Sequence, residues 1–128
     1  MGVVSINAID VWRLARFAWE WFRCAGPAGE SERRSLKLMR RWLSAAQRVQ
    51  FDTRGYFDVI GSHSGRRYRI RTGFSTNILE LDNFDYVVAR WCFVPCENLP
   101  VGDVMLAQKI ALENDEQSAL SVARSFQV

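Results

Sequence analysis

Tyr56-Phe57-Asp58-Val59-Ile60-Gly61-Ser62-His63-Ser64-Gly65-Arg66-Arg67-Tyr68-Arg69-Ile70-Arg71-Thr72 is the stretch on which the reading of this chain turns. Successive side chains of a β-strand point to opposite faces. From Arg66 to Thr72 that alternation puts Arg67, Arg69 and Arg71 in a row on one face and Tyr68, Ile70 and Thr72 on the other. Residues 56–60 form a shorter strand, and Ser62-His63-Ser64-Gly65 reads as the turn between the two. So short a connection predicts an antiparallel hairpin. Close cations repel one another, so the arginine row implies either an anionic partner or carboxylates elsewhere in the fold.

Downstream, Gly73-Phe74-Ser75 turns into a third strand over about residues 76–81, with Glu80 and Asp82 on or beside it as candidates to neutralise the arginines. Asp82-Asn83-Phe84-Asp85 turns again, and residues 86–94 read as a fourth strand. Asp103, after Pro100-Val101-Gly102, is expected to N-cap a helix over about residues 104–113. Residues 114–117 are expected to cap a last helix ending near Arg124. Upstream, a helix from near Ser31 to about Leu43 spaces Leu36, Met39 and Leu43 as a buried stripe and carries Arg33, Arg34, Lys37, Arg40 and Arg41 on its other side. Ser44-Ala45-Ala46-Gln47 reads as a capping box for a short helix to about Asp52, with one continuous helix through Ser44 as the alternative. Helices, then a strand meander, then helices predict an α+β fold: N-terminal helices, a three- to four-stranded antiparallel meander and C-terminal helices, not a parallel α/β fold.

Residues 6–24 hold Trp12, Phe17, Trp19, Trp21 and Phe22, interrupted by Asp10, Arg13, Arg16, Glu20 and Arg23. Those charges exclude a bilayer span, and without a clean apolar core the segment is not a signal peptide. Wound as a helix it confines most of its charge to one narrow stripe. The wide apolar remainder fits packing on the core, a partner helix or dimer, or a membrane interface. Gly26 and Pro27 end it. The expected organisation is an aromatic amphipathic helix over residues 1–25 appended to a single α+β domain over residues 30–128.

At 128 residues the chain suits one domain with a real core. The formal charge of +3 is split along the chain: residues 1–54 balance to +5, residues 55–76 to +3 and residues 77–128 to −5. An intramolecular fit between the basic and acidic regions is one account, and an anionic partner for the basic side is the other. Three cysteines, Cys24, Cys92 and Cys96, with no signal peptide point to buried thiols in a reducing cytoplasm. Cys92 and Cys96 have three residues between them rather than two, and His63 is the only histidine, so no zinc site is expected.

No residue pattern in the chain marks an enzyme. His63 sits between Ser62 and Ser64 in a polar turn, and adjacent serines on a turn do not make a triad. Asp103, Glu113, Asp115 and Glu116 read as cap and helix-face carboxylates favoured by the helix dipole. No glycine-rich phosphate loop is present, and no cofactor or small-molecule substrate is indicated. For nucleic acid the ingredients are the basic helix, with Arg40 and Arg41, and the row Arg67, Arg69 and Arg71, with Tyr68 and Phe74 as stacking rings. For a protein partner or homo-oligomer, the aromatic first helix combines residue types enriched at binding hot spots.

From about Leu38 onward the chain resembles a group of small uncharacterised bacterial proteins of rhizobial type. The residues that carry the resemblance are 42–47 (Trp-Leu-Ser-Ala-Ala-Gln), 55–61 (Gly-Tyr-Phe-Asp-Val-Ile-Gly), 64–71 (Ser-Gly-Arg-Arg-Tyr-Arg-Ile-Arg) and 99–113. That group has no assigned activity, so the resemblance implies no catalytic residue and no cofactor. It implies one folding unit from about residue 36 to 128. The expectation from the sequence is therefore a cytoplasmic, non-catalytic binding module. It acts through protein contact or self-assembly by its first helix, with nucleic-acid binding and peripheral membrane attachment as alternatives.

Overall fold

A computed structural model describes residues 27–72, 76–93 and 99–127. The expected first helix, with Trp12, Phe17, Trp19, Trp21 and Phe22, lies outside the described residues, as do Phe74, Cys24 and Cys96.

The described chain is α+β. Helices α1 (Pro27–Trp42) and α2 (Ala45–Arg54) lead into strands β1 (Tyr56–Ile60), β2 (Arg67–Arg71), β3 (Ile78–Leu81) and β4 (Val87–Cys92). Helices α3 (Val101–Asn114) and α4 (Glu116–Val122) follow, and then β5 (Arg124–Gln127). The strands form one antiparallel sheet in the order β1-β2-β3-β4-β5. The expected four-strand meander is present, and the last helix stops at Val122 so that the chain returns along β4 as a fifth strand.

Local chemistry explains most of the boundaries. Pro27 opens α1, where its missing N–H would have had no helical partner. Ser44 is extended (φ −63°, ψ 164°), so the helix does not continue through it. Its hydroxyl accepts from the Gln47 N–H, and the Gln47 side chain accepts from the Ser44 N–H, completing the capping box. Gly55 at φ 74° closes α2 in the left-handed conformation that glycine adopts without strain.

Helix α3 departs from expectation. It begins at Val101, directly after Pro100, so Asp103 lies in its first turn and is not the N-cap. The orphan donors there are satisfied from α1: Val101 N–H donates to Glu32 (2.9 Å) and Gly102 N–H to the Ser35 hydroxyl (3.2 Å). A Cβ at residue 102 would collide with the Ser35 backbone, so glycine permits this close approach of α1 and α3.

The core lies between the helices and one sheet face. Phe57, Val59, Tyr68, Ile70 and Ile78 meet Leu36, Met39, Leu43, Phe51, Met105, Leu112 and Ala119. The stripe Leu36, Met39 and Leu43 is buried as its spacing predicts. Asn77 and Gln108 exchange hydrogen bonds within the core. Among the described residues no buried side-chain nitrogen or oxygen lacks a partner.

Candidate functional site

Three places in the fold collect functional groups: the β1–β2 turn, the sheet face that points away from the helices, and a cleft between the β1–β2 and β3–β4 turns.

The β1–β2 turn closes on a carboxylate. Glu116, at the start of α4, is 2% exposed. It accepts from the backbone N–H groups of His63 (2.9 Å) and Ser64 (2.8 Å), from the Tyr68 hydroxyl (2.7 Å) and from the Ser64 hydroxyl. Its own N–H donates to the Ser62 hydroxyl (3.1 Å), and Ser62 N–H donates to the Leu112 carbonyl (2.9 Å). Burial pushes the Glu116 carboxyl up, but the donors from Ser64, Tyr68 and His63 outweigh it and hold the group at about 2. Burial, and then the bond to Glu116, push the Tyr68 hydroxyl well above its ordinary range. A Cβ on Gly61 would run into the Glu116 carboxylate, so this turn needs glycine there. Glu116 is thus an internal anion bound by a nest of donors, and neither a cap nor a surface carboxylate. His63 and Ser64 meet Glu116, while Tyr68 is fully buried and unavailable for base stacking.

The arginine row lies on the face opposite the core, since Tyr68 and Ile70 point inward. Its neutralisation is internal in part, but not through Glu80 and Asp82 side chains as expected. Arg69 makes a two-pronged pair with Asp58, directly opposite on β1 (2.8 and 3.1 Å), and stacks on the Tyr56 ring at 4.1 Å. The bond to Asp58 is the main reason the Arg69 pKa is raised. Arg67 pairs with Asp85 and reaches Asp58 at 4.0 Å. Glu80 points to the other face and pairs with Arg66 (2.7 Å). Arg71 has no carboxylate partner among the described residues; burial, and then nearby Arg90 on β4, lower its pKa. Arg40 and Arg41 are on α1, in the helical layer across the core, so the two basic groups do not form one surface. Arg40 is further tied to Asp52 (2.7 Å), joining α1 to α2.

The cleft has a volume of about 800 Å³, within the range of ligand-sized pockets. Glu80 lines it, and its carboxylate accepts from Arg66 and from the Trp91 indole N–H (2.9 Å). Its β3–β4 rim is a braced turn: Asp82 accepts from the N–H groups of Phe84 (2.8 Å) and Tyr86 (2.9 Å), and the Arg67–Asp85 pair secures the other side. Asp85 adopts φ 67°, a left-handed conformation within reach of aspartate. This turn leaves Phe84 81% and Tyr86 71% exposed.

The sequence offered Glu80 as a partner for the arginine row and Glu116 as a cap or helix-face carboxylate, and gave Trp91, Phe84 and Tyr86 no role. The turn dipeptides around Asp82 were the one legible signal, and they mark a turn without saying that its rings face water. Among the described residues no cluster of His, Cys, Asp and Glu could hold a metal ion, and Cys92 is a half-buried free thiol. No helix among them is long and apolar enough to cross a membrane. Comparison with protein-family models, with curated proteins and with solved structures finds no match.

Proposed function

We propose that this protein is a non-catalytic binding module that works by protein–protein contact, either with a partner protein or with a second copy of itself. The observation that carries the reading is the pair Phe84 and Tyr86, held out to solvent on a turn that Asp82 and the Arg67–Asp85 pair keep rigid. Two exposed rings on a braced turn form a pre-ordered aromatic anchor, which loses little entropy on binding. The Trp-rich residues 1–25 supply a second candidate docking element in the same reading.

The test is affinity capture from the native cells with the full chain and with the double variant F84A/Y86A, alongside light scattering over a range of concentrations. A protein recovered, or a self-association seen, with the parent chain and lost in the double variant supports the reading. Identical behaviour of the two chains overturns it for this turn. Deleting residues 1–25 tests the first helix in the same assay: loss of the partner with the fold retained supports docking, and unfolding shows that the helix serves the core.

A second reading, nucleic-acid binding, draws on Arg71 and Arg90, neighbouring sheet-face arginines with no carboxylate partner among the described residues. Phosphate contacts weaken as salt rises, so titrating single-stranded oligonucleotide at two salt concentrations discriminates. Salt-insensitive or absent binding removes this reading.

A further inference from the structure

The cleft makes a more specific statement about the partner. We propose that it seats an arginine side chain from an extended segment of the partner protein, which replaces Arg66 on the Glu80 carboxylate. This deepens the protein-binding reading and rests on it for the kind of partner, but not for the existence of the seat.

Glu80 is the starting point. Its side chain is only 5% exposed, whereas that of its cation, Arg66, is 62% exposed. A carboxylate withdrawn from water needs a cation, and removing one without replacement is strongly unfavourable. Nothing requires that cation to be Arg66. Arg66 stands outside β2, next to Gly65 at φ 70°, where an added Cβ would meet nothing within 4 Å. Released, its guanidinium returns to water and regains rotamer freedom. The exchange of one guanidinium for another on Glu80 is therefore close to neutral at the carboxylate itself.

The rest of the cleft selects the incoming group. Ala89, directly opposite Glu80 on β4, and Trp91 share the Glu80 face of the sheet and give the seat an apolar side, against which the methylene stem of a long basic side chain can lie. Trp91 both donates to Glu80 and lines the cleft, so a planar guanidinium on Glu80 comes beside an aromatic ring. Charge points the same way. The cleft's cations, Arg66 and Arg67, are engaged with Glu80 and Asp85, and Asp82 adds a further carboxylate to the wall. An anionic ligand would have to break those pairs and leave a carboxylate without its cation, whereas an incoming guanidinium takes the place of Arg66 on Glu80. Arginine is favoured over lysine because the carboxylate already accepts a guanidinium here, a planar group matched to it in shape. Phe84 and Tyr86 stand out from the turn whose Asp82 and Asn83 line the cleft, and would meet the partner beside that arginine.

The experiment uses the full chain and the blocked peptide Ac-Gly-Gly-Arg-Gly-Gly-NH2, with its citrulline counterpart as a neutral control of the same shape. The readout is the Trp91 indole N–H resonance, assigned by its loss in W91F. Arg66 competes with the peptide, so R66A should bind it about tenfold tighter than the parent chain. E80Q should bind neither peptide. R66Q leaves an amide donor at Glu80 and reads the same competition if R66A proves unstable. The proposal is overturned if removing the Arg66 charge leaves the indole resonance unresponsive, or if citrulline binds as well as arginine. A partner lost in F84A/Y86A while R66A ignores arginine would keep the aromatic turn and remove the seat. The opposite pair of results would do the reverse.

Discussion

Glu116 shows how one side chain can organise a region. Four donors from the Ser62-His63-Ser64 turn and Tyr68 hold it ionised at about 2, against an ordinary glutamate value near 4.5. A carboxyl depressed in the folded state stabilises the fold above its unfolded pKa, and that contribution is lost as pH falls through the folded value. The loss should therefore run from about pH 4.5 towards pH 2, amounting to on the order of 3 kcal/mol. Urea unfolding at pH 7 and pH 3 checks this, and E116Q should show a smaller drop between the two. Y68F deletes one donor to a buried carboxylate and should cost about 1–3 kcal/mol at pH 7 by the same measurement. None of this was legible in sequence. Glu116 sits in an acidic run that reads as a cap, and its partners lie more than fifty residues earlier in the chain, except Tyr68 at 48.

At the scale of elements, short-range chemistry was readable and borrowed chemistry was not. The capping box at Ser44 and Gln47 forms as written because both partners lie within one turn of helix. S44A should lower stability by about 1 kcal/mol in chemical denaturation. Gln47 does more than the motif implies: its amide also donates to the Asp58 carbonyl (2.9 Å), while the Gln50 side chain accepts from the Asp58 N–H (2.9 Å). The two glutamines thereby cover part of the outer edge of β1, which would otherwise offer unpaired backbone to another strand. The N-terminus of α3 takes its caps from Glu32 and Ser35, which is why Asp103 misled as an N-cap. G102A puts a methyl group against the Ser35 backbone and should destabilise by about 1–3 kcal/mol, with a lowered thermal midpoint as the readout.

For the whole molecule, strand alternation alone ordains that Arg67, Arg69 and Arg71 share one face, and the hairpin register follows from the short turn. The α+β arrangement and the first four strands were legible for the same reason: period-two and period-3.6 patterns are properties of neighbouring residues. Which carboxylate meets which arginine was not. Asp58 lies across from Arg69 because the register puts it there, while a one-residue bulge between Glu80 and Leu81 marks the pairing with β4. A double-mutant cycle on D58N and R69Q should return a coupling of about 1 kcal/mol that shrinks in high salt. Chain sequence by itself determined the helices and the first four strands, their order, the face of the arginine strand and the basic-to-acidic split, because these depend on contacts within a few residues; β5 was not among them. Tertiary structure alone decided that the arginine row is neutralised in part from within, that Glu116 is an internal anion, and that Glu80, Trp91, Asp82 and Asn83 line one cleft. Those facts require strands and helices distant in sequence to meet, and no local pattern encodes the meeting.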